Sequence, residues 1–152
     1  MSSIKIDPGS FRDPSGNIFN HEDKIIRILR KEGTDRIKYF KENDLLNQSI
    51  SKKFLIESDF IDAKSLDLDL DNVEEIVEHK KLNYISYPYE WSFDQLKDAA
   101  LHHLEFHIFL LKNEATLIDS SAYNIQFDGY KPVFIDILSI KKYQNGEYWK
   151  GH

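Results

Sequence analysis

The chain has 152 residues and a formal net charge of −6, and its 41% apolar and 13% aromatic content is typical of one globular domain. It contains no cysteine, which excludes disulfides and thiolate metal sites and favours a reducing compartment. Its 20 basic residues face 26 acidic ones without forming a basic stripe, so nucleic acid is not an expected partner. With neither a signal peptide nor a membrane-spanning apolar run, we expect a cytoplasmic protein with no membrane partner.

The first thirty residues predict short strands joined by tight turns. The segment DPSG at 13–16 is a turn sequence, and strands are predicted on either side of it at 10–12 and 17–19. A further strand is predicted over 24–29, where three isoleucines favour extended backbone.

Helical and extended patterns then alternate. Between 34 and 55 the apolar spacing is nearer 3.6 than 2, which predicts one or two helices with a break near 47–51. Two strands are predicted at 75–77 and 82–86. They are followed by YPYEW at 87–91, an aromatic connector that proline stiffens and that ends the strand before it.

The segment SFDQ at 92–95 is a capping box, which predicts a helix that runs to about Asn113. Six apolar residues fall on one stripe of this helix and are predicted to face the core: Phe93, Leu96, Ala100, Leu104, Ile108 and Leu111. After the helix, strands are predicted at 122–125 and 133–138, on either side of an Asp-Gly turn suited to a hairpin.

Three polar residues near that hairpin follow the order of a kinase active site. Asp119 is followed five residues later by Asn124, and Asp136 comes after the predicted hairpin. In kinases the first Asp orients or deprotonates the attacking hydroxyl, while the Asn and the second Asp hold Mg²⁺ against the phosphates. The alternative is that Asp119 and Asn124 are turn residues that bond their own backbone.

The order of elements also matches a kinase, so we expect an α+β, protein-kinase-like fold in a single domain, 1–152. It would comprise a small antiparallel sheet lobe with helices at 1–86, a hinge connector at 87–91, and a truncated helical lobe at 92–152 with a catalytic-loop-like hairpin.

In that fold the front hairpin would cover the phosphates of ATP, and the connector would lie beside its base. The predicted nucleotide-binding residues are Asp13, Ser15, Gly16, Arg27, Tyr87 and Tyr89. The alternatives are that Arg27 is a strand residue pointing to solvent and that the tyrosines complete a core or an interface.

Three long stretches carry a family resemblance: DPGSFRDPSGNIF, ISYPYEWSFDQLKDAALHHLEF and IDSSAYNIQFDGYKPVFIDILSI. They resemble the N-terminal segment of a bacterial S-adenosylmethionine-dependent methyltransferase family. The resemblance implies a kinase-like segment followed by a Rossmann-like methyltransferase domain. The glycine-rich turn that binds S-adenosylmethionine is not found in this sequence, so we expect that cofactor only through an adjoining or separate methyltransferase domain. The chain would be either a fragment or a naturally short relative.

The sequence departs from an active kinase in several places. It has no G-x-G-x-x-G, and Leu117 and Ile118 replace the His-Arg pair before the catalytic Asp. Ile137 and Leu138 follow Asp136 in place of Phe-Gly. Three functions therefore stay open: a kinase-like accessory domain that binds nucleotide and Mg²⁺ without efficient phosphoryl transfer, a non-catalytic interaction module, and an active small-molecule phosphotransferase.

Two other metal patterns are weaker. The acidic residues from 67 to 78 imitate a calcium loop, but Asn72 stands where the sharp turn requires glycine, which favours a solvated loop. His103 and His107 are spaced to share a zinc ion, yet no third ligand is evident. We therefore expect His107 to be a hydrogen-bonded core histidine.

Overall fold

The computed structural model of the protein describes residues 5–6, 15–21, 23–62, 72–118 and 120–149. These residues fall into two compact units, one drawn from 1–36 and 57–81 and the other from 37–56 and 82–152. Antiparallel sheets and three α-helices make up the regular structure of the described part. The predicted α+β class is therefore confirmed, while the division at residues 87–91 stays a prediction.

The first unit is built on a five-stranded sheet in which every neighbouring pair is antiparallel. Its strand order is β1-β2-β3-β5-β4. The strands are β1 (Lys5–Ile6), β2 (Gly16–His21), β3 (Lys24–Leu29), β4 (Ser58–Ile61) and β5 (Glu75–Lys80). The strand predictions at 17–19, 24–29 and 75–77 are thus confirmed, and β4 was not predicted. The predicted strand at 10–12 and residues 67–71 of the acidic segment lie outside the described residues, and residues 75–78 of that segment belong to β5 instead of a loop.

The sheet of the first unit has an apolar core on its central strands. Phe19, Ile26, Ile28 and Ile76 form one buried cluster across β2, β3 and β5. At the edge of the sheet a buried hydrogen bond of 2.8 Å joins Ser58 Oγ to His79 Nδ1, so that each of these two buried atoms has a partner.

Gly16 is required by the close approach of two strands. It lies at the start of β2, opposite Leu29 of β3. A Cβ at this position would lie 2.0 Å from the backbone oxygen of Ile28, far inside van der Waals contact. Because the obstructing atom belongs to the backbone of a paired strand, it cannot rotate away as a side chain could.

Three helices follow in the chain: α1 (Lys31–Glu42), α2 (Leu45–Ser51) and α3 (Phe93–Lys112). The break between α1 and α2 lies at Asn43 and Asp44, so the predicted break at 47–51 is wrong. Asp44 has a φ of 56°, in the left-handed region that asparagine and aspartate tolerate better than the other non-glycine residues. The Asn43 side chain bonds back to the Tyr39 carbonyl oxygen at 2.8 Å, which helps to end α1.

The N-terminus of α3 forms as predicted. Ser92 Oγ accepts a hydrogen bond from the Gln95 amide at 3.3 Å, and Gln95 Oε1 accepts one from the Ser92 amide at 3.0 Å. The helix ends at Lys112, with Asn113 as its C-cap. Among the described helices, none combines the length and hydrophobicity that crossing a membrane requires.

The predicted core stripe of α3 is wrong. Phe93 is 81% exposed, and Leu96, Leu104, Ile108 and Leu111 are exposed as well. The buried side is a different set: Ala99, His103, Phe106, His107 and Leu110. The helix carries apolar residues over much of its circumference, so periodicity alone could not select the face. Two polar histidines on the buried side also weakened its hydrophobic signal.

Two small antiparallel sheets complete the second unit. β6 (Ala115–Leu117) pairs with β9 (Ile140–Lys142). β7 (Ile125–Asp128) pairs with β8 (Lys131–Phe134) around a turn in which Gly129 has a φ of 66°. The predicted hairpin is confirmed, although residues 122–124 and 137–139 form 3₁₀ turns instead of strands. No strand forms over 82–86, so that prediction is wrong.

We predict that Gly16→Ala destabilises the protein by about 3 kcal/mol, because its Cβ must displace the backbone of β3. The matched control is Gly129→Ala, where no atom lies within 4 Å of the added Cβ and only the positive φ is strained. That variant should lose about 1 kcal/mol. The measurement is urea denaturation followed by circular dichroism. Equal losses in both variants would contradict the close-approach explanation.

Candidate functional site

The β7–β8 hairpin brings Asn124 and Asp136 together. Asn124 directly precedes β7, and Asp136 follows two residues after β8. Because Ile125 pairs with Phe134, the next position of the ladder places Asn124 beside Ile135. The carbonyl oxygen of Asn124 accepts a hydrogen bond from the Ile135 amide at 2.9 Å. Hairpin register therefore closes the twelve-residue separation between the two predicted metal ligands.

One serine links the side chains of these two residues. Ser139 Oγ donates to Asp136 Oδ2 at 2.6 Å and accepts from Asn124 Nδ2 at 3.2 Å. The other carboxylate oxygen of Asp136 accepts from the Leu138 amide at 3.3 Å and so caps the 3₁₀ turn that contains Ser139. Ser139 is buried, whereas Asn124 and Asp136 are half-buried. The arrangement is a hydrogen-bonded amide and carboxylate at the edge of the core.

Asp119, the predicted catalytic residue, lies outside the described residues, but its neighbours on both sides are anchored. The Ile118 amide donates to the Ser139 carbonyl oxygen at 2.6 Å. Ser120 is fully buried, and its hydroxyl bonds to His103 Nε2 at 2.9 Å. The chain before and after position 119 is thus tied to the turn that follows Asp136 and to α3.

The histidines on the buried side of α3 serve as hydrogen-bonding core residues. His107 Nε2 bonds to Thr116 Oγ1 at 3.0 Å, as His103 does to Ser120, and both rings contact Trp149. Burial lowers the pKa of both histidines, and the neighbouring His107 and His102 lower that of His103 further. The prediction that His107 is a core histidine is confirmed.

The aromatic connector follows Ser86, whose backbone is bonded to the side chain of Gln126 in β7. Gln126 accepts from the Ser86 amide at 3.0 Å and donates to the Ser86 carbonyl oxygen at 2.9 Å. Trp91 Nε1 donates to Ser86 Oγ at 2.8 Å. Tyr87 and Tyr89 stack on each other, with ring centroids 5.5 Å apart and planes 2° from parallel. Both rings are exposed, Tyr89 to 75%, so neither completes the core.

The other predicted nucleotide-binding residues belong to the first unit. Asp13 lies outside the described residues, and Ser15 is buried directly before β2. Arg27 is only 7% exposed, which overturns the alternative that it points to solvent. It lies mid-strand in β3, paired with Ile18 on β2 and Val77 on β5. Gly16 has the packing role described above.

The donor set at the hairpin suits magnesium. Asn124 and Asp136 offer carbonyl and carboxylate oxygens, which are hard ligands, and Mg²⁺ commonly binds one or two protein carboxylates together with substrate phosphates and water. Across the described ranges, no group of three or more His, Cys, Asp or Glu is placed to hold a metal ion. Protein ligands from this part of the chain would therefore supply only some of the coordination positions.

Sequence reasoning missed the supports of this site. A serine three residues after Asp136 is a capping spacing, so Ser139 had a local signal that was available. No such signal exists for the pair of His103 and Ser120, because 17 residues separate them and only the packing of α3 joins them. The bond between Gln126 and Ser86 spans 40 residues and was equally invisible.

The comparisons with known proteins bear on the fold. No protein-family model matches the chain. It is 42% identical over 146 residues to the nodulation protein NoeA of Rhizobium meliloti (strain 1021), a match that covers 95% of this chain and 30% of NoeA. A 2.2 Å crystal structure of WbdD matches 96% of this chain and 34% of WbdD, with a TM-score of 0.55 and 15% identity. This chain shares its fold with part of WbdD.

Two further structures of the same protein agree. One, described as the bifunctional kinase-methyltransferase WbdD, matches with a TM-score of 0.52 at 15% identity and covers 88% of this chain and 31% of WbdD. The other, a co-crystal of WbdD with the kinase inhibitor LY294002, matches with a TM-score of 0.50 at 14% identity and covers 89% of this chain and 33% of WbdD. The predicted kinase-like segment is thus supported at the level of fold, and this chain spans about a third of the proteins it matches.

We predict that stability falls as the pH drops below the ordinary histidine pKa of 6.5. The folded state lowers the pKa of His102, His103 and His107, so the unfolded chain binds more protons in this window. The stability that these histidines contribute is therefore fully present above pH 6.5 and is lost as the pH falls toward their lowered folded-state pKa values. The measurement is the thermal midpoint between about pH 7.5 and about pH 5.5.

The variants His103→Gln and His107→Gln should each flatten this dependence, since glutamine can keep a hydrogen bond but does not titrate. A pH profile identical to that of the wild type in both variants would contradict the assignment to these histidines.

Proposed function

We propose that this chain is a kinase-like accessory segment of a methyltransferase-family protein, and that it binds ATP with Mg²⁺ without efficient phosphoryl transfer. Asn124 and Asp136 supply the metal ligands, and Asp119 takes the role of the catalytic Asp, which orients or deprotonates an attacking hydroxyl. Asp13, Ser15, Gly16 and Arg27 contribute to phosphate binding, while Tyr87 and Tyr89 lie beside the base. S-adenosylmethionine belongs to an adjoining or separate methyltransferase domain.

The bridge from Asn124 through Ser139 to Asp136 is the observation that carries this proposal. Phosphoryl transfer depends chiefly on neutralising charge and positioning groups. Two hard oxygen ligands on one hairpin can contribute to both by holding Mg²⁺ against the phosphates. The register of the β7–β8 hairpin alone accounts for the backbone bond of Asn124 to Ile135. It does not account for an amide side chain linked to a carboxylate twelve residues away.

The comparisons with known proteins support the proposal of a kinase-like segment. WbdD, whose fold covers nearly all of this chain, is described as a bifunctional kinase-methyltransferase and was crystallised with a kinase inhibitor. The match to NoeA extends over 95% of this chain but 30% of NoeA. A kinase-like piece within a larger protein is consistent with both matches.

Inefficient transfer follows from the departures around the site. Leu117 is buried in β6, and Ile118, which replaces the kinase Arg, is also apolar. Ile137 and Leu138, which replace the Phe-Gly that follows the kinase metal Asp, are both buried in a 3₁₀ turn. The turn after Asp136 is therefore packed into the core, and the chain offers no Phe-Gly pair there to rearrange.

A non-catalytic interaction module is the second candidate, and the exposed side of α3 favours it. Phe93, Leu101, Leu104, Ile108 and Leu111 are all exposed along one helix. Apolar side chains grouped in this way are typical of a surface that contacts another polypeptide. This candidate needs no ligand at Asn124 and Asp136, so nucleotide binding separates it from the first.

An active small-molecule phosphotransferase is the third candidate, with an acceptor hydroxyl that takes the γ-phosphate of ATP and releases ADP. Release of ADP or phosphate that disappears in Asp119→Asn would favour it. Absence of any turnover in the wild type would leave the first two candidates.

We predict that ATP with Mg²⁺ raises the thermal midpoint of the protein and that Asp136→Asn abolishes this shift. Ligand at 100 times its dissociation constant adds about 2.7 kcal/mol of stability, so saturating nucleotide gives a readily measured effect. The substitution removes one negative charge from the proposed metal site. The measurement is differential scanning calorimetry with ATP alone, Mg²⁺ alone and both together.

The matched control is Asp128→Asn, which removes the same charge from the exposed end of β7 on the same hairpin. It should keep the full shift with Mg²⁺ and ATP. A wild-type protein that shows no shift at millimolar nucleotide would overturn the binding proposal and favour the interaction module. An equal loss in both variants would mean that overall charge, not the site, governs the effect.

A further inference from the structure

We propose that Ser139 is a positioning residue that fixes the side-chain amide of Asn124 so that its carbonyl oxygen is directed to the metal. This inference rests on the proposed binding of Mg²⁺ and ATP. It goes beyond that proposal because it assigns a role to a serine that the kinase-like order of Asp119, Asn124 and Asp136 does not include.

The argument begins with the proton of the Ser139 hydroxyl. An ionised carboxylate can only accept hydrogen bonds, so the single hydroxyl proton of Ser139 is committed to Asp136 Oδ2 at 2.6 Å. The serine oxygen then has only acceptor capacity left for its second neighbour. Whatever part of Asn124 faces Ser139 must therefore be a donor.

The amide group of Asn124 satisfies this requirement in one orientation. Its Nδ2 lies 3.2 Å from Ser139 Oγ and donates to it. If the amide were flipped, Oδ1 would face a hydroxyl oxygen that has no second proton to give, and two acceptors would meet. The charge of Asp136 thus sets the direction of both bonds in turn. It leaves the carbonyl oxygen of Asn124, the atom that Mg²⁺ prefers, on the side away from Ser139.

Ser139 is itself held in place, so that its hydroxyl can act as a fixed reference. It is 6% exposed, and its amide donates to the Asp136 carbonyl oxygen at 3.2 Å. Its own carbonyl oxygen accepts from the Ile118 amide at 2.6 Å, which ties it to the segment before position 119. Residues that orient metal ligands in this way typically change metal affinity by about 10- to 100-fold when they are removed.

The experiment is calorimetric titration of ATP into Ser139→Ala, with and without Mg²⁺. We expect the Mg²⁺-dependent gain in ATP affinity to fall by about 10-fold or more, while affinity for ATP alone stays within about twofold of the wild type. Ser139→Thr retains a hydroxyl and should recover most of the gain. Ser51→Ala, which removes an exposed serine hydroxyl bonded to the Gln48 carbonyl oxygen, is the control and should match the wild type.

A second measurement needs no ligand. In nitrogen-15 NMR spectra the side-chain NH₂ signals of Asn124 should shift in Ser139→Ala and stay near their wild-type position in Ser139→Thr, because only the alanine variant loses the acceptor. Well-dispersed backbone signals in both variants would show that they are folded.

The outcomes separate the two proposals. A wild type that binds ATP equally with and without Mg²⁺ overturns the proposed metal site and this inference with it. A wild type that gains affinity from Mg²⁺, with an unchanged gain in a folded Ser139→Ala, overturns the positioning role and leaves the metal site intact. Asn124 NH₂ signals that do not respond to Ser139→Ala contradict the bond on which the inference depends.

Discussion

Phe134 holds the second unit together through both its backbone and its ring. Its amide donates to the Phe54 carbonyl oxygen and its carbonyl oxygen accepts from the Ile56 amide, each at 2.9 Å, which ties β8 to the segment after α2. Its fully buried ring packs against Phe106 and His103 of α3. Phe134 therefore connects the hairpin to both the long helix and the segment after α2. The next position of the β7–β8 ladder places Asn124 next to Ile135.

Hydroxyl groups supply hydrogen-bond partners for the polar side chains that this packing buries. A helix with histidines on its buried side must satisfy their ring nitrogens, because an unpaired polar group in the core costs about 1–3 kcal/mol. Thr116 forms a hydrogen bond with His107, and Ser120 forms one with His103. Both hydroxyl residues lie in the segment that follows α3. Ser139 does the same for a carboxylate and an amide. The polar groups that hold the core together thus also fix the chain around the candidate site.

Predictions succeeded where the signal was local and failed where it required a choice of face or partner. The capping box Ser92–Gln95 and the Asp-Gly hairpin are settled within four residues of chain, and both formed as predicted. The core stripe of α3 failed because apolar residues lie on more than one side of the helix. The side that carries Phe106 packs against Phe54 and Phe134, which are distant in the sequence.

At the candidate site, too, some features were predicted from the sequence and others were not. From the sequence alone came the α+β class, the three residues in kinase order, and the positions at which the sequence departs from an active kinase. The short 3₁₀ turns at 122–124 and 137–139 replaced predicted strand ends, because side chains of Ser121 and Asp136 bond to backbone amides two residues ahead.

What the sequence determined by itself was a set of local preferences: which segments turn, which begin helices, and which polar residues stand in a suggestive order. The tertiary structure alone decided that Asn124 and Asp136 are joined through Ser139 and that His103 reaches Ser120 across 17 residues. Local preferences arise from backbone geometry and from hydrogen bonds within a few residues. Long-range pairs depend on which packing buries the most apolar surface while it leaves every polar group a partner, and no short segment contains that information.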